Sequence, residues 1–146
     1  MAKHIVVLTT GHPFLSEKLL NEKPSTARLF TISYQLDQEP SAITRAKAYL
    51  HAHYTEEVAL HELARVAHLS PFYLARLFRQ IVGLPPHAYQ IQLRLARAKA
   101  LLAQGFDVSY VAHETGFFDQ SHFTRQFKQH FLTTPGNYQK TAGFSR

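Results

Sequence analysis

Two short stretches, "SPFYLARLFRQIVG" (70–83) and "DQSHFTRQFKQHF" (119–131), set basic, amide and aromatic side chains at spacings that could do chemistry. On a helix at 100° per residue, Leu74, Leu77, Phe78 and Ile81 of the first fall on one side, while Phe72, Arg76 and Arg79 stand opposite with Ala75 beside them. In the second, Phe123, Phe127 and Phe131 share one side, and together with Phe117 and Phe118 just ahead of them they are expected to build a small core. Ser121, Thr124, Arg125 and Lys128 take the other flank, His122 leans the same way, and Gln120, at the very start of the helix, is expected to face outward with them. The apolar sides suit a core. The outward sides suit a base-paired duplex: a guanidinium reaches guanine O6 and N7 together, a Gln amide pairs with adenine N6 and N7, an apolar group touches a thymine methyl, and a lysine near a helix end meets phosphate.

The charge balance agrees with a polyanionic partner. Of 16 Lys+Arg and 10 Asp+Glu, residues 1–40 hold four of each, so residues 41–146 carry 12 against 6 and the whole net charge of +6. The absence of cysteine excludes disulfides and thiolate zinc sites and fits a reducing cytoplasm. The run "IVVLTT" is too short to span a membrane and lacks the form of a signal peptide.

An enzyme is the rival from another class, prompted by ten histidines and by Asp119, Ser121 and His122 lying close together. It fails on spacing. His51 and His53 are two apart, about 200° round a helix, and neither an HExxH run nor a GxSxG elbow occurs. No catalytic residue, metal site or cofactor is expected. A second rival is a dimerising interaction module with residues 1–40 as its interface and only non-specific affinity for DNA.

The elements that must position the outward residues repeat. Residues 63–89 align with residues 111–138 at a shift of 48 that becomes 49 at the turn, placing Ser70 over Asp119, Leu74 over Phe123, Arg76 over Arg125, Phe78 over Phe127, Pro86 over Pro135 and Tyr89 over Tyr138. One residue has entered the second turn. Each unit has the pattern of a short helix, a tight turn, a Ser or Asp N-cap and a second helix, which is a helix-turn-helix.

Between the units, "PPHAYQIQLRLARAKALLAQG" predicts a helix over 86–104 ending at Gly105. Ile91, Leu95, Ala98 and Leu102 form one apolar stripe, and Tyr89, Leu93, Ala96 and Ala100 a second, nearly opposite. Such a helix is sandwiched between the units. Gln90, Arg94 and Arg97 then lie on a free flank, with Arg94 and Arg97 placed for phosphates. A further helix is expected from Ala42 to about His53, capped by Ser41 behind Pro40. Upstream, 4–10 suggests a strand, and "SEKLL" and "STARLFTISYQL" suggest helices.

"ELARVAHLSPFYLARLFRQIVG", "RLARAKALL" and "VAHETGFFDQSHFTRQFKQHF" followed by "TPGNY" resemble the DNA-binding region of the AraC/XylS transcription regulators over about residues 42–140. The resemblance implies an all-α fold of two helix-turn-helix subdomains joined by a long linker helix, with a short N-terminal extension. It implies that Phe72, Ala75 and Arg76 in the first unit, and Gln120, Ser121, Thr124 and Arg125 in the second, contact bases in two successive major-groove segments. Arg79, Arg94, Arg97, His122 and Lys128 are left as phosphate contacts. The implied partners are double-stranded DNA and RNA polymerase, with no membrane and an effector that is unknown.

The domain boundaries expected on this basis are 1–40 for an extension or the remnant of a sensor domain and 41–146 for the DNA-binding domain. Within the latter the first helix-turn-helix occupies about 58–82, the linker helix 86–104 and the second helix-turn-helix 108–131. Three residues depart from the family's pattern. His68 and Leu132 stand where members usually have glycine, and Pro85 replaces a common serine. Histidine tolerates positive φ better than most residues, so the first turn should form with slight strain.

Overall fold

The computed structural model describes residues 41–143, in which every regular element is a helix and there is no strand. The segments expected upstream, at 4–10, 16–20 and 25–36, lie outside the described residues. Seven helices follow one another: α1 (41–52), α2 (Leu60–Ala67), α3 (Pro71–Val82), α4 (Pro86–Ala103), α5 (Val108–Glu114), α6 (Gln120–Phe131) and α7 (Pro135–Thr141). None is long and apolar enough to cross a membrane.

Local chemistry explains where the helices begin. The side chains of Ser70, Asp107, Asp119 and Thr134 each accept from a backbone N–H of the first turn that would otherwise lack a partner. Pro71, Pro86 and Pro135 sit at the first helical position, where a missing N–H costs nothing and φ is already helical. Ser41 does not act as the expected cap: it is itself helical, and its hydroxyl accepts from Arg45 Nη1 at 2.8 Å.

Two cores form. In the first, Ile43 and Leu50 of α1 pack with Leu63 of α2 and Leu74, Leu77 and Phe78 of α3. Arg45 Nη2 donates to the Ala67 carbonyl at 3.0 Å, and the Tyr49 hydroxyl donates to the Glu62 carboxylate, so α1 holds both ends of α2. Ile81, expected in this core, is exposed one turn beyond it. In the second core, Leu95 and Leu102 of α4 pack with Val111 of α5 and Phe117, Phe123 and Phe127. Phe131 and Tyr138 close it from the side.

The linker α4 therefore belongs mainly to the second unit. Its stripe Ile91, Leu95, Ala98, Leu102 is buried throughout. The opposed stripe is not continuous. Tyr89 and Leu93 pack on the first core, whereas Ala96 and Ala100 face solvent because the first unit ends before it reaches them. The sandwich exists only at the N-terminal half of the helix.

The repeat extends to a hydrogen-bonding detail. Gln90 Nε2 donates to the carbonyls of Tyr54 (3.2 Å) and Glu56 (2.7 Å), and Gln139 Nε2 donates to those of Phe106 (2.7 Å) and Leu102 (3.4 Å). Each glutamine, one residue after the paired tyrosine, holds carbonyls where the chain enters its own unit, both in the bend for Gln90 and one in the last turn of α4 for Gln139.

Candidate nucleic-acid interface

The turn, the cap and the core of each unit together aim one helix outward. In the first unit, His68 turns the chain at φ 58°, Ser70 Oγ accepts from the Tyr73 N–H at 3.3 Å, and Leu74, Leu77 and Phe78 anchor α3 from below. The opposite side of α3 is thereby presented to solvent. Phe72 is 78 % exposed, Arg76 and Arg79 are exposed, and Ala75 lies half-buried between them. Arg76 extends over the Tyr73 ring, its guanidinium carbon 5.9 Å from the centroid, which restrains the fork without burying it.

In the second unit, Asp119 Oδ1 accepts from the His122 N–H at 2.6 Å, and Phe123 and Phe127 are fully buried. Gln120, Ser121, Arg125 and Lys128 are exposed and Thr124 is half-buried on the same flank. Neither α3 nor α6 contains an acidic residue. Arg79, Arg125 and Lys128 form no ion pair with any described residue, so among the described residues both faces carry unpaired positive charge beside amide, hydroxyl and apolar groups.

Four placements differ from the sequence-based expectation. His122 does not project freely: it is half-buried, and its ring stands edge-on to Phe117 at 5.5 Å, because the turn of Phe117 folds back against the first turn of α6. Phe118 is not part of the core that the other phenylalanines build. It is 95 % exposed, since it is the extra residue of the longer second turn and the buried place is taken by Phe117. That single insertion in the alignment was the signal for it.

Gln90 and Arg94 do not lie on a free flank. Gln90 is buried. Arg94 Nε donates to the Tyr54 carbonyl at 2.6 Å and Arg94 Nη2 to the Glu56 carbonyl at 2.9 Å, with the guanidinium carbon 5.8 Å from the Phe117 ring centroid. Burial lowers the Arg94 pKa from its usual value and the nearby Glu57 carboxylate works the other way. The group stays cationic. Arg94 is thus a structural clamp rather than a side chain directed to a phosphate, whereas Arg97, one turn on, is exposed as expected.

What residue type does not reveal is the close approach at Gly116. This glycine turns the chain at φ 83°, and a Cβ there would lie 2.4 Å from the Thr55 carbonyl oxygen and 2.7 Å from Thr55 Cα. Asp119, the acid of the rival enzyme grouping, is used as a helix cap, and no group of three or more His, Asp or Glu side chains among the described residues is placed to hold a metal.

Comparison with known proteins bears on the family and the fold. Residues 63–141, from α2 through α7, match the family of helix-turn-helix domains. The regulatory protein PocR of Salmonella typhimurium is 29 % identical over 101 residues, covering 68 % of this chain and 33 % of its own. The transcriptional activator RhaS of an Enterobacter species is 34 % identical over 101 residues, covering 68 % and 36 %. The matched stretch thus spans about a third of the length of these relatives. Among solved structures, an AraC-type transcriptional regulator from Chromobacterium violaceum superposes with a TM-score of 0.67 at 28 % identity, covering 73 % of this chain and 96 % of that one. The DNA-binding domain of AdpA, solved in complex with a target DNA, superposes with a TM-score of 0.64 at 25 % identity, covering 68 % and 90 %.

Proposed function

The chain belongs to the AraC/XylS-type helix-turn-helix family, and on that premise we propose that it regulates transcription by laying α3 and α6 into successive major-groove segments of a specific DNA site. The observation that carries this is the pair of acid-free outward faces on one connecting helix. The 18 residues of α4 rise about 27 Å at 1.5 Å each, close to the ~34 Å between successive major-groove faces on one side of a duplex.

Roles follow from side-chain chemistry. Arg76 and Arg125 read guanine, Gln120 reads adenine, Phe72 and Ala75 contact thymine methyls, and Ser121 and Thr124 bond base edges or adjacent phosphates. Arg79, Arg97 and Lys128 neutralise the backbone. Because the face of Phe72, Ala75 and Arg76 differs from that of Gln120, Ser121, Thr124 and Arg125, one chain reads an asymmetric site without a palindrome. Residues 41–146 serve as the DNA-binding domain. RNA polymerase is the partner on which bound regulator acts, in the cytoplasm at the nucleoid. We assign no catalytic step to it.

The test is selection of bound sequences from a random duplex pool, followed by binding of the winner with five base pairs inserted between its two halves. The expected site spans about two helical turns, and the insertion, which rotates one groove to the far side, abolishes specific binding while leaving weak, salt-sensitive binding. Tolerance of the insertion, or binding only as a dimer to a palindrome, would refute the two-headed mechanism. Failure to bind any duplex at low salt would refute the whole proposal.

A further inference from the structure

The bend at 53–59, which joins α1 to α2 in the first unit, is held from three directions. Gln90 pins it, as Gln139 pins the corresponding bend of the second unit, so that bond belongs to the repeated architecture. Two further contacts have no counterpart in the repeat. Position 94 shifted by 49 is Gly143, which carries no side chain. Arg94 duplicates the Gln90 bonds, reaching the Tyr54 and Glu56 carbonyls from α4 while lying against Phe117 of the second unit. Gly116, in the second unit's turn, lets Thr55 of the first unit approach to where a side chain would be.

We infer that Arg94 and Gly116 are positioning residues that fix the rotational phase of one recognition helix relative to the other. This rests on the two-headed mode of binding. Their contacts join the first unit's bend to the helix and turn that belong to the second unit's core, so they resist rotation of one core about α4. A fixed phase matters because the two heads must meet grooves whose facing repeats once per helical turn of DNA. A head free to rotate wastes the advantage of being tethered, since the local concentration of the second head at its groove falls.

Arg94 can be removed without orphaning its partners, because Gln90 still donates to both carbonyls. The test therefore uses the full chain with Arg94→Met, and with Gly116→Ala as the second variant, on fluorescent duplexes carrying the selected site, each half alone, and the site with one or two base pairs added or removed between halves. Wild type should bind the full site far more tightly than either half and reject altered spacings. Arg94→Met should bind each half within about twofold of wild type, bind the full site roughly tenfold or more weakly, and discriminate less among spacings, with an unchanged salt slope. Gly116→Ala should shift or broaden the preferred spacing.

Equal losses on half and full sites with a shallower salt slope would make Arg94 a phosphate contact and overturn the inference. So would full-site affinity and spacing preference identical to wild type. If wild type itself binds half and full sites alike, the two-headed mode fails and the inference falls with it.

Discussion

His68 and Gly116 occupy equivalent places in the two turns, both with positive φ (58° and 83°), yet only His68 has room for a side chain. At position 116 the Thr55 backbone stands where a Cβ would go; His68 faces solvent. The glycine usual at position 68 is therefore dispensable for space, and histidine meets the backbone demand at small cost. Gly116→Ala should lose roughly 1–2 kcal/mol from the left-handed conformation alone, and more from the clash. His68→Gly should change stability by less than about 1 kcal/mol. Urea unfolding of both variants checks this, and equal effects at the two positions would remove the steric role of Thr55.

Phe72 lies two residues from Leu74, which is fully buried, but is itself 78 % exposed. Truncation of a core Phe costs about 3–5 kcal/mol, whereas an exposed one costs little. Phe72→Ala should keep the melting temperature within about two degrees and weaken binding to the selected site more than to a scrambled duplex. A large fall in melting temperature would show that the ring supports the core.

Arg76→Ala and Arg125→Ala should each cost about 1–3 kcal/mol on the selected site and relax preference at one base pair. Lys128→Ala, near the end of α6, should weaken all sequences alike and make the salt slope shallower by about one. Titrations on selected and scrambled duplexes at several salt concentrations separate the two classes. An Arg76→Ala loss that is equal on both duplexes assigns Arg76 to phosphate.

Ala96 is exposed midway along α4, just past Tyr89 and Leu93, which touch the first core, and within the stretch whose other side lies in the second. Proline there removes one helical hydrogen bond and clashes with the preceding turn, costing about 3 kcal/mol or more. Specific binding should collapse while salt-sensitive binding persists. Full retention of site preference by Ala96→Pro would mean that α4 need not be continuous.

Leu132 ends α6 at φ 62° with its side chain 88 % exposed, so it pays for a left-handed backbone without gaining burial. Leu132→Gly should raise stability by about 1 kcal/mol. Chemical denaturation is the measurement, and a destabilised variant would reveal a contact for the leucine side chain.

Much of this arrangement was legible because it is written in side-chain periodicity. Ser70 and Asp119 marked the starts of α3 and α6, and Phe78 over Phe127 marked their buried sides. Arg94 was not legible, because its acceptors are backbone carbonyls forty residues away, and a carbonyl leaves no trace in residue type. Ala96 and Ala100 misled for another reason: alanine is small enough to sit in solvent or in a core, so a stripe of alanines says little about burial. Phe118 was concealed by its neighbour, since either of two adjacent phenylalanines fits the core until the longer turn decides which.

The two separate cores have a thermodynamic consequence. The second takes most of α4 into its own packing, while the first is completed by α1 and meets α4 through Tyr89, Leu93 and the Gln90 and Arg94 bonds to its bend. Separate cores predict separate opening, so native-state hydrogen exchange should resolve two protection levels, with the amides of α2 and α3 released at a different free energy from those of α5 and α6. A heating curve fitted as one transition would average two events, and duplex binding, by engaging both units at once, would merge them into one.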